Sequence, residues 1–274
     1  MDSKVDDWDD AYANGAYIEA ADTYPGKWAR AALHYRRAMV KQQLADIDIS
    51  YGTSERQKLD IFRPEKNGQG LLVFVHGGYW RAFDKSCWSH LARGAIRQGW
   101  TVALPSYDLA PAVSISEITR QVGTAINMAA VALGGPIRLA GHSAGGHLVS
   151  RMICRDSPLA PEVRARIQRV VSISGLHDLR PLLKTKMNAD FNMDETEATA
   201  ESPALNHPID SAELVCWVGA EERPEFIRQA ELLANIWTGF GIRTSLHKAK
   251  AQHHFNVVES LADPQSALTR CLLE

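Results

Sequence analysis

From Ile47 onward the chain alternates between two kinds of apolar spacing. The segments IDISY and KLDIF, joined through Gly52-Thr53-Ser54 and stopping ahead of Pro64, carry apolar residues at alternate positions, which predicts two short strands in an antiparallel hairpin at a sheet edge. Six further short apolar runs follow: Leu71 to Val75, Thr101 to Leu104, Ile137 to Ala140, Gln168 to Ile173, Leu214 to Val218 and Thr244 to Ala249. Helical periods fill the gaps between them. Strands covered on both faces read as near-continuous apolar runs, so the alternation predicts an α/β fold with a mostly parallel eight-stranded sheet and helices on both faces.

The helices carry their own signals. Ser114 followed by Glu117 is a capping-box signature, and Ile115, Ile118, Val122, Ile126 and Ala129 then keep helical period on one face. Pro224 suits a first helical position, with Phe226, Ala230, Leu233 and Ile236 after it. Near the amino terminus, Trp28, Ala32, Tyr35 and Met39 trace one stripe of an amphipathic helix after Pro25-Gly26. With Trp8, Tyr12 and Tyr17 ahead of it, the stretch 1–44 is expected to be a helical segment packed on a single domain spanning 1–274, with a roof over a functional site as the lesser alternative. Lys184 to Ser211 has no clear period beyond a cap at Asp194, and predicts a surface excursion.

Composition narrows the function classes. With 274 residues, 45% hydrophobic and 23% charged, the chain can bury one large core. A net charge of −2 offers no electrostatic footprint for nucleic acid or an acidic membrane surface. The acidic start MDSKVDDWDD lacks the pattern of a signal peptide, and no apolar run approaches the roughly 18 residues that span a bilayer, so a cytoplasmic protein is expected. Cys87, Cys154, Cys216 and Cys271 are far apart, without zinc-like or C-x-x-C spacing, and are read as reduced thiols. His34, His90, His147, His207 and His247 show no ligand spacing, so no metal and no cofactor are expected.

Chemistry concentrates in Pro136 to Val149, PIRLAGHSAGGHLV, where an apolar run meets Gly141-His142-Ser143-Ala144-Gly145 and passes into a helical pattern. A G-x-S-x-G turn between strand and helix holds its serine in a strained backbone, hydroxyl outward, and the flanking glycines remove side chains that would collide. Leu71 to Val75 runs straight into His76-Gly77-Gly78-Tyr79-Trp80, a loop of the kind that aims backbone N–H groups at a developing oxyanion. The expected donors are Gly78, with Tyr79 as a further candidate, and Ala144. Serine needs a base and an oriented acid, which in this fold should follow it in the order serine, acid, histidine. His253 and His254 stand where the base belongs, and His254, next to Phe255 and the following helical stretch, is favoured. For the acid, Glu225 suits a helix N-terminus. Glu221 and Glu222 remain, with Glu222 further into the loop and better able to turn toward His254.

Together HGGYW at 76–80, YDLAP at 107–111, GHSAGG at 141–146, SGLHDLRPLL at 174–183, ERPEF at 222–226 and HHFNVVE at 253–259 resemble the kynurenine formamidase branch of the α/β-hydrolase superfamily, near the hormone-sensitive-lipase-like esterases. The likeness runs from about Tyr12 to Leu261. It implies an α/β-hydrolase fold with Ser143 as nucleophile, His254 as base and Glu222 as acid. Many formamidases carry Asp at the positions of Glu222 and His253; the first change leaves a carboxylate that orients a histidine equally well, and the second bears on substrate identity. The implied activity is serine hydrolysis of a small acyl amide or ester, with N-formylkynurenine as the leading substrate. A carboxylesterase or thioesterase is the alternative within enzymes, and a non-catalytic ligand-binding protein of the same fold the alternative outside them. Tyr79, Trp80, Trp88 and Tyr107 are expected to offer an aromatic surface to the leaving group. The expected partners are a small-molecule substrate and, beyond it, at most a second copy of the chain in a homodimer.

Overall fold

The computed structural model describes residues 4–66 and 68–274; residues 1–3 of the predicted N-terminal segment lie outside the described residues. Eight strands, β1 (Ala45–Ser50), β2 (Lys58–Phe62), β3 (Leu71–Val75), β4 (Thr101–Pro105), β5 (Ile137–His142), β6 (Ile167–Ile173), β7 (Glu213–Gly219) and β8 (Thr244–Ala249), form one sheet. The order across it is β1-β2-β4-β3-β5-β6-β7-β8. Only β2 runs against its neighbours: it is antiparallel to β1 and β4, while every pair from β4 to β8 is parallel. The apolar runs have the burial that their composition demands. Strands β3, β4 and β5 are buried at every residue, and only the edge strand β1 alternates regularly.

Because successive side chains of a strand point to opposite faces, the sheet divides the core in two. Leu71, Val73 and Val75 face Ile118, Val122 and Leu148 on one side. Leu72 and Phe74 face Trp28, Trp88, Val257 and Leu268 on the other. The helix Ile115–Ala132 starts where the cap signature places it, with the Ser114 hydroxyl accepting from the Glu117 N–H at 3.2 Å, and Pro224–Thr238 starts on its proline. Lys184 to Ser211 departs from expectation. It holds two short helices, Asn188–Phe191 and Glu195–Ala200, the second capped by Asp194, and it buries Phe191, Met193, Ala198 and Ala204 in the core, so it is a packed wall of the molecule.

The N-terminal helix Tyr24–Lys41 buries Trp28, Ala32 and Met39, the stripe anticipated from spacing. It is also held by charge. Asp60 on β2 is fully buried and meets Lys85 Nζ at 2.8 Å and Arg36 Nε at 3.1 Å, and Asp48 on β1 meets the same two cations at 2.5 and 3.2 Å, so helix, sheet and the loop after β3 converge on one charge cluster. Removing one partner of a buried ion group costs about 3 to 5 kcal/mol where its charges are left uncompensated, and loss of Asp60 would leave two cations sharing the half-exposed Asp48. Asp60→Ala is therefore expected to lower the unfolding free energy by about that amount in urea titration, and Lys85→Met in the same chain to recover most of it. A loss below about 1 kcal/mol would show that the cluster contributes little.

Candidate active site

The sheet changes winding direction between β3 and β5. The chain leaves β3 toward β4 on one side and returns to β5 on the other, which opens a crevice at the carboxyl ends of these two strands. Two loops meet there. After β3 come His76-Gly77-Gly78; after β5 comes Ser143, with φ 57° and ψ −119°, and the helix Ala144–Arg151 begins at the next residue. A left-handed φ on a non-glycine residue at such a junction is the strained elbow that the G-x-S-x-G spacing predicts. The elbow closes only because backbone touches backbone: a Cβ on Gly145 would lie 2.0 Å from the Val75 carbonyl oxygen.

The same closeness presses the glycine loop onto the elbow. A Cβ on Gly77 would lie 2.6 Å from the His142 carbonyl oxygen and 2.9 Å from Ser143 Cβ, and Gly78 has φ +114°. The N–H groups of Gly78, Tyr79 and Ala144 meet no acceptor among the described residues. They are donors left available beside the serine. Tyr107 holds this loop from below: its ring stacks on His76 at 4.4 Å and its hydroxyl donates to the His76 carbonyl at 2.8 Å.

The loops after β7 and β8 bring the remaining pair together. Glu222 Oε2 accepts from His254 Nδ1 at 2.6 Å, with both side chains buried. The other oxygen, Oε1, accepts from the Ser174 hydroxyl at 2.5 Å and the Gly219 N–H at 2.8 Å. Three donors therefore orient this carboxylate, which leaves His254 Nε2 free to act elsewhere. Across the site, His142 Nε2 donates to the His254 carbonyl at 2.8 Å, tying the loop after β8 to the residue before the serine. Burial keeps the neighbouring histidines uncharged, pushing His76 down to about 4 and His147 and His177 to about 3.

The competing residues are engaged otherwise. Glu221 is exposed. His253 has its Nε2 at 3.2 Å from the Tyr24 hydroxyl and its Nδ1 accepting from the Phe255 N–H at 3.2 Å. Glu225 is taken up by Arg228, Gln229 and the Tyr12 hydroxyl.

Ser143, His254, Gly78 and Tyr79 line one cavity of about 450 Å³. Of the four aromatic residues expected around the substrate, Tyr79 and Trp88 are on its wall, but Trp80 and Tyr107 are not. Trp80 is fully buried against His147 and Phe191, because two successive left-handed residues, Tyr79 and Trp80, turn its ring into the core; Tyr107 is spent supporting His76. The wall is completed by Tyr12, Asn14 and Trp28 from the N-terminal segment, where a roof was the lesser expectation, and by Phe83 and Phe255, which local pattern did not assign to it. The aromatic density of the first thirty residues was the available signal. Tyr79 is fixed by its hydroxyl, which donates to the Tyr12 carbonyl at 2.6 Å.

Comparison with known proteins agrees with this geometry. The family model of the alpha/beta hydrolase family matches residues 72–265. Kynurenine formamidase of Salmo salar is 30% identical over 240 residues, covering 83% of this chain and 81% of its own, and that of Danio rerio is 29% identical over 239 residues, covering 83% and 80%. A crystal structure from Silicibacter sp. tm1040, described as a candidate thioesterase, is 51% identical with a TM-score of 0.94, covering 98% of this chain and 99% of its own. Among the described residues no helix is long and apolar enough to cross a membrane. A strand-turn-helix elbow at the sheet's switch point and a family match over most of the chain lead to one conclusion: this chain belongs to the alpha/beta hydrolase family, and it is a hydrolase of small amide or ester substrates.

Proposed function

We propose that the chain is a serine hydrolase that deformylates an aryl formamide, N-formylkynurenine being the leading substrate, with Ser143 as nucleophile, His254 as general base and Glu222 as the acid that orients it. The observation that carries this reading is the Glu222–His254 hydrogen bond of 2.6 Å, which opens onto the cavity where Ser143 sits on its strained turn. In the forward step the Ser143 Oγ–C bond forms as its proton passes to His254 Nε2. The carbonyl oxygen becomes an oxyanion facing the N–H groups of Ala144 and of Gly78 or Tyr79. Collapse breaks the C–N bond, and the proton on His254 leaves with the arylamine. Water, deprotonated by the same histidine, then releases formate and restores Ser143.

The aromatic wall of Trp28, Tyr79, Phe83, Trp88 and Phe255 supports an aryl leaving group, each good ring contact contributing about 0.5 to 1.5 kcal/mol. The name carried by the two fish relatives supports the formamide. A second reading, a short-chain thioesterase acting through the same three residues, is favoured by the Silicibacter relative.

Ser143→Ala and His254→Ala are each expected to lower kcat by about 10⁴-fold or more, and Glu222→Gln by about 10³- to 10⁴-fold, since residues acting as a unit are non-additive. The neighbours Glu221→Gln and His253→Ala should stay close to wild type. Stopped assays on purified variants decide it, and Ser143→Ala activity within tenfold of wild type would remove the nucleophile from this scheme.

For the substrate, kcat/KM on N-formylkynurenine is expected to exceed that on p-nitrophenyl acetate, and activity on p-nitrophenyl esters to fall steeply from acetate to hexanoate. A flat or rising series without deformylation, together with turnover of short acyl thioesters, would favour the thioesterase reading instead.

A further inference from the structure

Asn14 stands in the cavity wall with nothing to do for the fold. It occupies the N-cap position of the short 3-10 turn Gly15–Tyr17, where an asparagine side chain ordinarily accepts a backbone N–H. Here its backbone is already helical, at φ −57° and ψ −49°, and the side chain caps nothing. The backbone is satisfied separately, its N–H on the Tyr12 carbonyl at 3.0 Å and its carbonyl on the Tyr17 N–H at 3.1 Å. The residue is only 6% exposed, and its Nδ2 is buried without a hydrogen-bond partner among the described residues. Orphaned buried N–H donors are rare because each forfeits its hydration, so one on a residue of a cavity wall points to a partner that arrives with the ligand as the amide turns toward it.

We infer that Asn14 is a specificity-determining residue that donates a hydrogen bond to a neutral carbonyl oxygen on the leaving-group side of the substrate. The inference rests on the hydrolase reading of Ser143 and specifies what its leaving group carries. A neutral acceptor fits better than a carboxylate. The wall that holds Asn14 also includes Pro25, Trp28, Phe83 and Phe255, a setting in which an anion would lose its hydration, and Asp9 on the same wall would repel it. Arg81, at the rim, is already engaged by Asp190 at 2.6 Å. An aryl ring bearing an acyl group beside the scissile bond provides the required geometry in kind: the ring for the aromatic wall, the ketone oxygen for the amide. The segment carrying Asn14 is held firmly enough to discriminate, through the Tyr12 hydroxyl on Glu225 at 2.8 Å and the Tyr79 hydroxyl on the Tyr12 carbonyl.

The test compares phenyl acetate with 2-acetylphenyl acetate, which differ by the ortho ketone alone, in wild type, Asn14→Ala and Asn14→Leu, the leucine keeping the branching of asparagine at Cγ without its polar atoms. Loss of one hydrogen bond predicts that kcat/KM on 2-acetylphenyl acetate falls about tenfold in both variants, with phenyl acetate changing less than about twofold and the thermal midpoint nearly constant. Turnover of phenyl acetate also shows that each variant is folded. An unchanged ratio of the two esters, whether neither rate moves or both fall together, overturns the inference. N-formylkynurenine is assayed alongside. If wild type cleaves both esters and leaves it intact, the substrate reading fails while the ester ratio still decides the role of Asn14.

Discussion

The contact between the carboxyl end of β3 and the first turn of the helix after Ser143 is the constraint on which the site depends. Gly145 packs its backbone against Val75, where a methyl group would sit 2.0 Å from the carbonyl oxygen, and the adjacent loop packs Gly77 against His142 and Ser143. Had either glycine carried a side chain, the two loops would separate. The unpartnered N–H groups of Gly78, Tyr79 and Ala144 would then no longer stand beside the serine, since they come from the loop after β3 and from the helix. Strain at Ser143 is thus maintained by the sheet around it, and the parallel neighbours β3, β5 and β6 provide the rigidity to do so.

A second layer of interactions joins distant parts of the chain around that contact. Tyr12 donates to Glu225 at the start of the helix Pro224–Thr238 and accepts from Tyr79 in the glycine loop. One residue therefore links the N-terminal segment, the loop after β3 and the helix following the acid loop. Burial and the carboxylate of Glu225 hold the Tyr12 phenol well above its ordinary range, so it remains a donor throughout the working pH of such an enzyme. Arg223 on Asp10 at 2.5 Å and Trp28 Nε1 on Glu259 at 3.1 Å extend the same closure. The cavity is apolar because these polar contacts lie behind its wall, where they position the rings rather than compete with a ligand.

Periodicity, capping and spacing alone located all eight strands, the long helices, the serine elbow, the glycine loop and the loops after β7 and β8 that carry Glu222 and His254, because these features are local: a turn, a cap or a buried strand constrains residues within a few positions of one another. The surroundings of the site were decided at longer range. Glu222 and Glu221 are neighbours with identical chemistry, and only the packing of the β7 loop against Ser174 turns the first toward His254 and leaves the second in solvent. Trp80 and Tyr107 sit in motifs beside the site, yet the left-handed backbone at Tyr79 and Trp80 and the demand of His76 for support direct both rings into the core. Lys184 to Ser211 lacks a period because its apolar residues answer to several elements at once, and Asn14 reaches the cavity through a fold-back of the N-terminal segment that no local pattern encodes. Local sequence thus determined which chemistry the chain carries, and the tertiary structure determined what surrounds it, because the walls are assembled from segments more than forty residues apart whose contacts leave no periodic trace.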